Sequence, residues 1–389
     1  MSAGDSEVIY LDNNATTRVA PEVLEAMLPF FGDRYGNPSG IYRFGGEVRR
    51  RVERAREQVA ALIGAQPSEI IFTSCGSESD NMALKGFYRE HGDKAKIITS
   101  AVEHPAVRNT ARFLGDDRGV PLTELPVDGD GMISPSVIDS QDINPHTLVS
   151  LMWANNETGV IFPIRELAEK VKARGGIFHT DAVQAAGKVP INVKDTPADM
   201  LALSGHKLHA PKGIGAAYFR TGMPVNPLIH GGHQENGLRA GTENVPYIIG
   251  LGRACELALE RQNDENTRVR ALRDRLEREL LAKCKGAKLN GHPKERLPNT
   301  TNISFENIEG EAILLHLDHA GIAASSGSAC TTGSLEPSHV MMSMNIPYNY
   351  AHSSTRFSLS IYNSDSDVDK VISVMPGIVD KLRSLSPFT

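Results

Sequence analysis

A lysine and a carboxylate, each delivered into a polar loop by an apolar strand, set the chemistry this chain can do. In ADMLALSGHKLHAPKG the run Met200 to Leu203 leads to Lys207, and in GGIFHTDAVQ a second run ends at Asp181. Pyridoxal phosphate chemistry needs such a pair. The amine forms a Schiff base with the cofactor aldehyde, and the carboxylate keeps the ring nitrogen protonated so that the ring can draw off electrons. Either residue alone reads as well as a surface lysine or a helix-capping aspartate; it is the pair that points to the cofactor.

Other residues could complete such a site. Cys75-Gly76-Ser77 lies between a strand and a helix start, where free backbone N–H groups and the helix dipole favour an anion, and Ser204 and His206 flank Lys207. His104, before Pro105, could stack on a ring, and Gln184, three residues after Asp181, could donate to its phenolic oxygen. Arg356, ahead of FSLSIY, could grip a carboxylate through two N–H groups or serve as a surface ion-pairing residue. The glycine-rich GGHQENGLRAGTENV, with Thr242, suits a second phosphate-contacting loop. Of the four cysteines, Cys75, Cys255 and Cys284 read as small buried hydrophobes. Cys330 differs: it sits in the uncharged SSGSACTTGS, which reads as a mobile loop that gives a thiol access. His316 and His319 are three apart on a predicted helix, but no further ligand lies at a recognisable spacing, so no metal is expected.

These residues must be positioned by alternating strands and helices. Val48, Val52, Ala55, Val59 and Leu62 fall at helical spacing, with Gly64 as the stop. EIIFTS reads as a strand, followed by a helix start at Ser77 to Asp80. Further strand runs end at His104, near Asn155-Asn156, at Asp181 and at Ser204. Repeated units of this kind build an α/β fold around a mostly parallel sheet, with ligands outside the strands' carboxyl ends. After Gly250 a long helical stretch crosses the polar run Gln262 to Glu265, where a domain boundary is expected. NISFENI, a helix over Glu311 to His319, GIAASS and RFSLSIY then suggest a smaller α/β unit.

The bulk numbers narrow the function class. The chain has 389 residues, enough for two domains, with 40% hydrophobic and 23% charged residues, as in soluble globular proteins. A formal net charge of −6 argues against nucleic acid as a partner. No stretch approaches the roughly 20 apolar residues of a membrane span. The opening MSAGDSEVIYLD does not read as a signal peptide, and scattered cysteines fit a reducing cytoplasm.

The chain resembles the cysteine desulfurases, within the class V aminotransferase group of fold type I pyridoxal phosphate enzymes, and most closely the NifS type. The resemblance is collinear: YLDNNATTRV, GNPSG, FTSCGSESDN, VEHPAV, MWANNETG, HTDAVQAAGKVP, SGHKLHAPKG, RAGTENV, LPNTTNISF, ASSGSACTTGSLEPSHV and RFSLS. It implies a large domain over residues 15–262 around a seven-stranded sheet. A smaller α/β domain, from residues 1–14 and 263–389, would carry the cysteine loop. It also implies roles: Lys207 holds the cofactor and moves protons, Asp181 pairs with the ring nitrogen, His104 stacks on the ring, and Gln184 bonds the phenolic oxygen. Gly76, Ser77, Ser204 and His206 would hold the phosphate with Thr242 from a second subunit of a homodimer. Arg356 and Asn156 would hold the substrate carboxylate, and Cys330 would be the nucleophile that takes sulfur from L-cysteine, leaving alanine. A NifU- or IscU-type iron–sulfur scaffold is the implied acceptor, with the absence of a C-terminal extension after Ser386-Pro387 favouring the NifU type and a link to nitrogenase. Related lyases acting on selenocysteine or cysteine sulfinate are the alternative. Three positions depart from the family pattern: Asn236 stands where arginine is common, Ser353-Ser354 where Gly-Thr is common, and Ser77 where threonine is usual. The first two leave loop packing and interface electrostatics open.

Overall fold

In the computed structural model, which describes residues 8–326 and 337–386, the alternating runs become a seven-stranded sheet. Its strands are β1 (Ile70–Thr73), β2 (Lys96–Ser100), β3 (Leu122–Leu125), β4 (Thr147–Ser150), β5 (Ile177–Asp181), β6 (Met200–Ser204) and β7 (Gly215–Phe219). Their order is β1-β7-β6-β5-β4-β2-β3, and only β7 runs against the others. Six strands therefore end at the same edge. β1, β4, β6 and β7 are buried along their length, as expected of a sheet covered on both faces. The expected strand ending at His104 stops earlier, at Ser100. A turn follows, in which Glu103 takes a hydrogen bond from Ser100 Oγ at 2.6 Å, so His104 becomes the cap of the next helix.

Helix α1 (Arg43–Ile63) buries Val48, Val52, Ala55, Val59 and Leu62, as its spacing predicts, and ends at Gly64 with φ 71°. Each of the valines and the leucine contributes about 1.5–3 kcal/mol on burial. Helix α2 (Gly76–His91) follows β1, and α3 (Pro105–Arg118) follows β2. Helix α4 (Val245–Asp264) crosses α1 closely: a Cβ at Gly252 would lie 2.6 Å from Ala55 Cα, so only glycine fits there.

The polar run Gln262 to Glu265 is not an extended linker. α4 continues through a π turn (Glu265–Val269) into α5 (Arg270–Lys283). Along this continuous helix the apolar surroundings change: Leu251, Ala254 and Leu257 belong to one cluster, while Val269, Leu272, Leu276 and Leu280 belong to another. The second cluster underlies an antiparallel sheet of β8 (Ala287–Asn290), β9 (Thr300–Phe305), β10 (Ser325–Ser326) and β11 (Thr355–Ser358), in the order β10-β11-β9-β8. Ile9–Tyr10 pairs in parallel with Ile322–Ala323, and Leu11 lies in the same cluster. The chain then passes to the large sheet, where Thr17 N donates to the His206 carbonyl at 3.0 Å. Residues 12–16 thus run through the junction between the two sheets. Among the described residues, no helix is long and apolar enough to cross a membrane.

Candidate active site

The common edge of the parallel strands opens onto a cavity of about 290 Å³, lined by residues from both sheets. Nearly every expected site residue is there: Gly76, Ser77, His104, Asn156, Asp181, Gln184, Ser204, His206, Lys207 and Arg356. Two are not. Thr242 is exposed and does not line this cavity, and Cys330 lies outside the described residues.

Lys207 is placed by a 3-10 turn (Gly205–Lys207) directly after β6. Its ammonium donates to the carbonyls of Asn14 at 2.5 Å and Ala15 at 2.7 Å. Asp181 ends β5, and one of its oxygens accepts from Val183 N at 2.9 Å. Burial raises its carboxyl pKa, while His104 and Lys207 oppose the rise. A carboxylate so placed is stabilised most by an N–H⁺ donor inside the cavity. His104 caps α3, with Nδ1 accepting from Ala106 N at 3.1 Å, so the neutral ring carries its hydrogen on Nε2. Burial holds its pKa below the usual histidine value.

At the other end of the cavity the groups suit an anion. The start of α2 presents its first N–H groups, with Cys75 as the cap. A Cβ at Gly76 would come within 2.6 Å of Val183 Cγ2, so glycine lets the helix end approach the loop after β5. His206 is bonded through Nδ1 to Thr16 Oγ1 at 3.2 Å, and burial lowers its pKa to about 4. It is therefore a neutral imidazole near pH 7. Ser204 is decisive. Its hydroxyl is buried at the cavity wall with no hydrogen-bond partner, and such a group costs free energy unless a ligand satisfies it.

Arg356 proves to be buried rather than a surface residue. Its Nη2 donates to Asp12 Oδ1 at 2.6 Å and its Nη1 to the Asn156 carbonyl at 2.9 Å, while Nε has no partner. Asp12 thus holds the guanidinium ready at the cavity. Cys75 corrects the expectation of a buried apolar thiol: it is half-buried and lines the cavity. Cys255 and Cys284 are buried as expected.

The sequence reading missed four residues. Asn14 connects the two sheets: its carbonyl accepts from Lys207 and Gln184, and its side chain donates to Thr300 Oγ1 at 2.9 Å and the Asn156 carbonyl at 3.2 Å. Asp80, on α2, also lines the cavity, and burial with Asp181 nearby pushes its pKa well up. Beside it, His179 Nε2 lies 3.6 Å from Asp80 Oδ1, and burial depresses that imidazole to about 3. Lys188 backs Gln184. Only the LDNNATT and GSESD motifs hinted at Asn14 and Asp80. At the departures, Ser353 Oγ accepts from Phe305 N at 2.8 Å, and the exposed Asn236 adopts φ 55°, which asparagine tolerates.

The class-V aminotransferase family matches residues 9–371. The chain belongs to this family. A cysteine desulfurase of Trichormus azollae is 55% identical over 381 residues, covering 98% of this chain and 95% of its own. The cysteine desulfurase NifS of Azotobacter vinelandii is 53% identical over 381 residues, covering 98% and 94%. Among solved structures, a NifS-like protein superposes with a TM-score of 0.90 at 38% identity, over 96% of this chain and all of that one. The family's cofactor is pyridoxal phosphate, and the cavity fits it. The orphaned Ser204 hydroxyl, the glycine at the start of α2 and the neutral His206 suit its phosphate. The buried Asp181 suits its ring nitrogen, and Lys207 its aldehyde.

Proposed function

We propose that the protein is a cysteine desulfurase that takes sulfur from L-cysteine, releases L-alanine and holds the sulfur as a persulfide on Cys330. The observation that carries this reading is the convergence of Lys207, Asp181, His104 and the unsatisfied Ser204 hydroxyl on one cavity. The relatives supply the reaction class. Bound pyridoxal phosphate supplies an electron sink for the substrate's Cα and Cβ.

The chain's own residues do the rest. Asp181 keeps the ring nitrogen protonated, and His104 covers the ring. Gly76, Ser77, Ser204 and His206 hold the phosphate, with Thr242 reaching it from a second subunit. Arg356 and Asn156 orient the substrate carboxylate. Lys207 moves the proton at the substrate's Cα. The Cys330 thiolate attacks the substrate sulfur; the Cβ–S bond breaks as the S–S bond forms, and Cβ takes up a proton. The large unit is residues 15–262, and the small unit, residues 1–14 and 263–389, carries Cys330. We place the enzyme in the cytoplasm as a homodimer, passing sulfur to an iron–sulfur scaffold of the NifU or IscU type, with nitrogenase supply as its role.

Mass spectrometry after incubation with L-cysteine tests the reading. Added sulfur is expected on the Cys330 peptide. Cys330→Ala is expected to bind cofactor but release no sulfide with a reductant present. Undiminished sulfide release by that variant would favour a lyase that forms no enzyme persulfide.

A further inference from the structure

Lys188 follows Gln184 by one helical turn's worth of residues and is buried, 5% exposed. Its ammonium donates to the Gln184 carbonyl at 3.2 Å and to the Gln184 side-chain oxygen at 3.1 Å. On the far side of the amide, Gln184 Nε2 donates to the Asn14 carbonyl at 2.9 Å. An ammonium can only donate and a carbonyl can only accept. The two neighbours therefore permit one orientation of the amide, with its oxygen toward Lys188 and its nitrogen toward Asn14. Nε2 carries two hydrogens; one is committed to Asn14, which leaves the other for an acceptor in the cavity that Gln184 lines.

We propose that Lys188 is a positioning residue, locking the Gln184 amide so that its N–H faces the phenolic oxygen of the cofactor. This rests on the assignment of Gln184 to that oxygen made above. The cost of the arrangement supports it. A buried ammonium is expensive, and an apolar side chain of similar length would fill the space with less penalty. Burial lowers the Lys188 pKa to about 8, with Arg356 adding to the fall and Glu265 opposing it. Glu265, on the π turn, shares a small cavity with Lys188 and Lys207. From the same turn Asn266 Nδ2 donates to the Lys188 carbonyl at 2.8 Å, so the backbone here is also fixed.

The consequence is spectroscopic. A donor on the phenolic oxygen draws off negative charge that would otherwise hold the proton on the neighbouring lysine-linked nitrogen. Without it, that nitrogen keeps its proton to higher pH. The test is a pH titration of the holoenzyme's visible band. Gln184→Leu is expected to raise the midpoint by about one pH unit, the worth of a hydrogen bond to a charged group. Lys188→Met should shift it the same way, Lys188→Arg should retain the wild-type midpoint, and Lys188→Met with Gln184→Leu should match Gln184→Leu alone. A wild-type midpoint in Lys188→Met beside a shifted Gln184→Leu overturns the role of Lys188. So does a Lys188→Met shift that adds in full to the Gln184→Leu background, since Lys188 would then act by charge alone. An unshifted Gln184→Leu overturns the Gln184 assignment and the proposal with it. If Lys188→Met does not fold, Lys188→Leu, which also lacks a donor, replaces it with the same expectations.

Discussion

At the scale of single residues, the site is a set of polar groups whose satisfaction is incomplete without a ligand. Ser204 shows this most simply. Because its hydroxyl is buried and unpartnered, removing it takes nothing from the empty protein, while removing it from the loaded protein deletes a hydrogen bond to a charged group. Ser204→Ala is therefore expected to leave the melting temperature of the apoenzyme unchanged or slightly raised. It should weaken pyridoxal phosphate binding by about tenfold or more, as read by equilibrium titration of the cofactor. A drop in apoenzyme stability with unchanged cofactor affinity would mean that the hydroxyl serves the fold instead. Residues of this kind were legible in the sequence because each ends its strand or follows it within a few positions: Ser204, Lys207, Asp181 and Gly76 announce themselves by local pattern. Asn14 and Lys188 were not. Asn14 matters through partners such as Gln184 and Thr300 that are remote in sequence, and Lys188 matters through the orientation of another side chain. Neither leaves a periodic or compositional trace.

At the scale of elements, the parallel strands bring the residues together and the spacing between elements tunes the cavity. The start of α2 is held against the loop after β5 at Gly76, where a methyl group would meet Val183 Cγ2 at 2.6 Å. Val183 is β-branched and cannot easily turn away. Gly76→Ala is expected to push the helix end outward and weaken cofactor binding roughly tenfold or more, since the backbone N–H groups lose their aim. Val183→Ala removes the colliding atom, so the double variant should recover most of the affinity. Absence of recovery would place the fault in the helix cap rather than in the spacing. The strands β1, β2, β4, β5 and β6 were all legible as apolar runs closed by polar loops. The reversed β7, between β1 and β6, was not, because a buried apolar run such as GAAYF does not encode its direction. The boundary expected near Gln262 coincides with no break in the chain: the helix continues through these polar residues, and the identity of its apolar partners changes along it.

At the scale of the whole molecule, one expected residue is out of place in a single chain. Thr242 is exposed and absent from the cavity wall, although the loop that carries it lies in a segment rich in glycine. The same chain exposes Leu24, Leu28, Phe31, Tyr35, Ile41 and Tyr42 within a short stretch of sequence. If Thr242 completes the phosphate site of the other subunit, an inactive and an impaired protein should rescue each other. Lys207→Ala lacks the amine, and Thr242→Ala lacks the donated hydroxyl. A mixed dimer contains one site with Lys207 from one chain and Thr242 from the other, both intact. Unfolding and refolding the two variants together in equal amounts is expected to restore about a quarter of the wild-type sites, because half the dimers are mixed and each has one intact site. Cofactor-saturable sulfide release measures it, with each variant refolded alone as the baseline. A threonine acting within its own chain predicts the opposite: every Lys207-bearing site would still lack its hydroxyl, and mixing would yield no more activity than the sum of the two separate proteins.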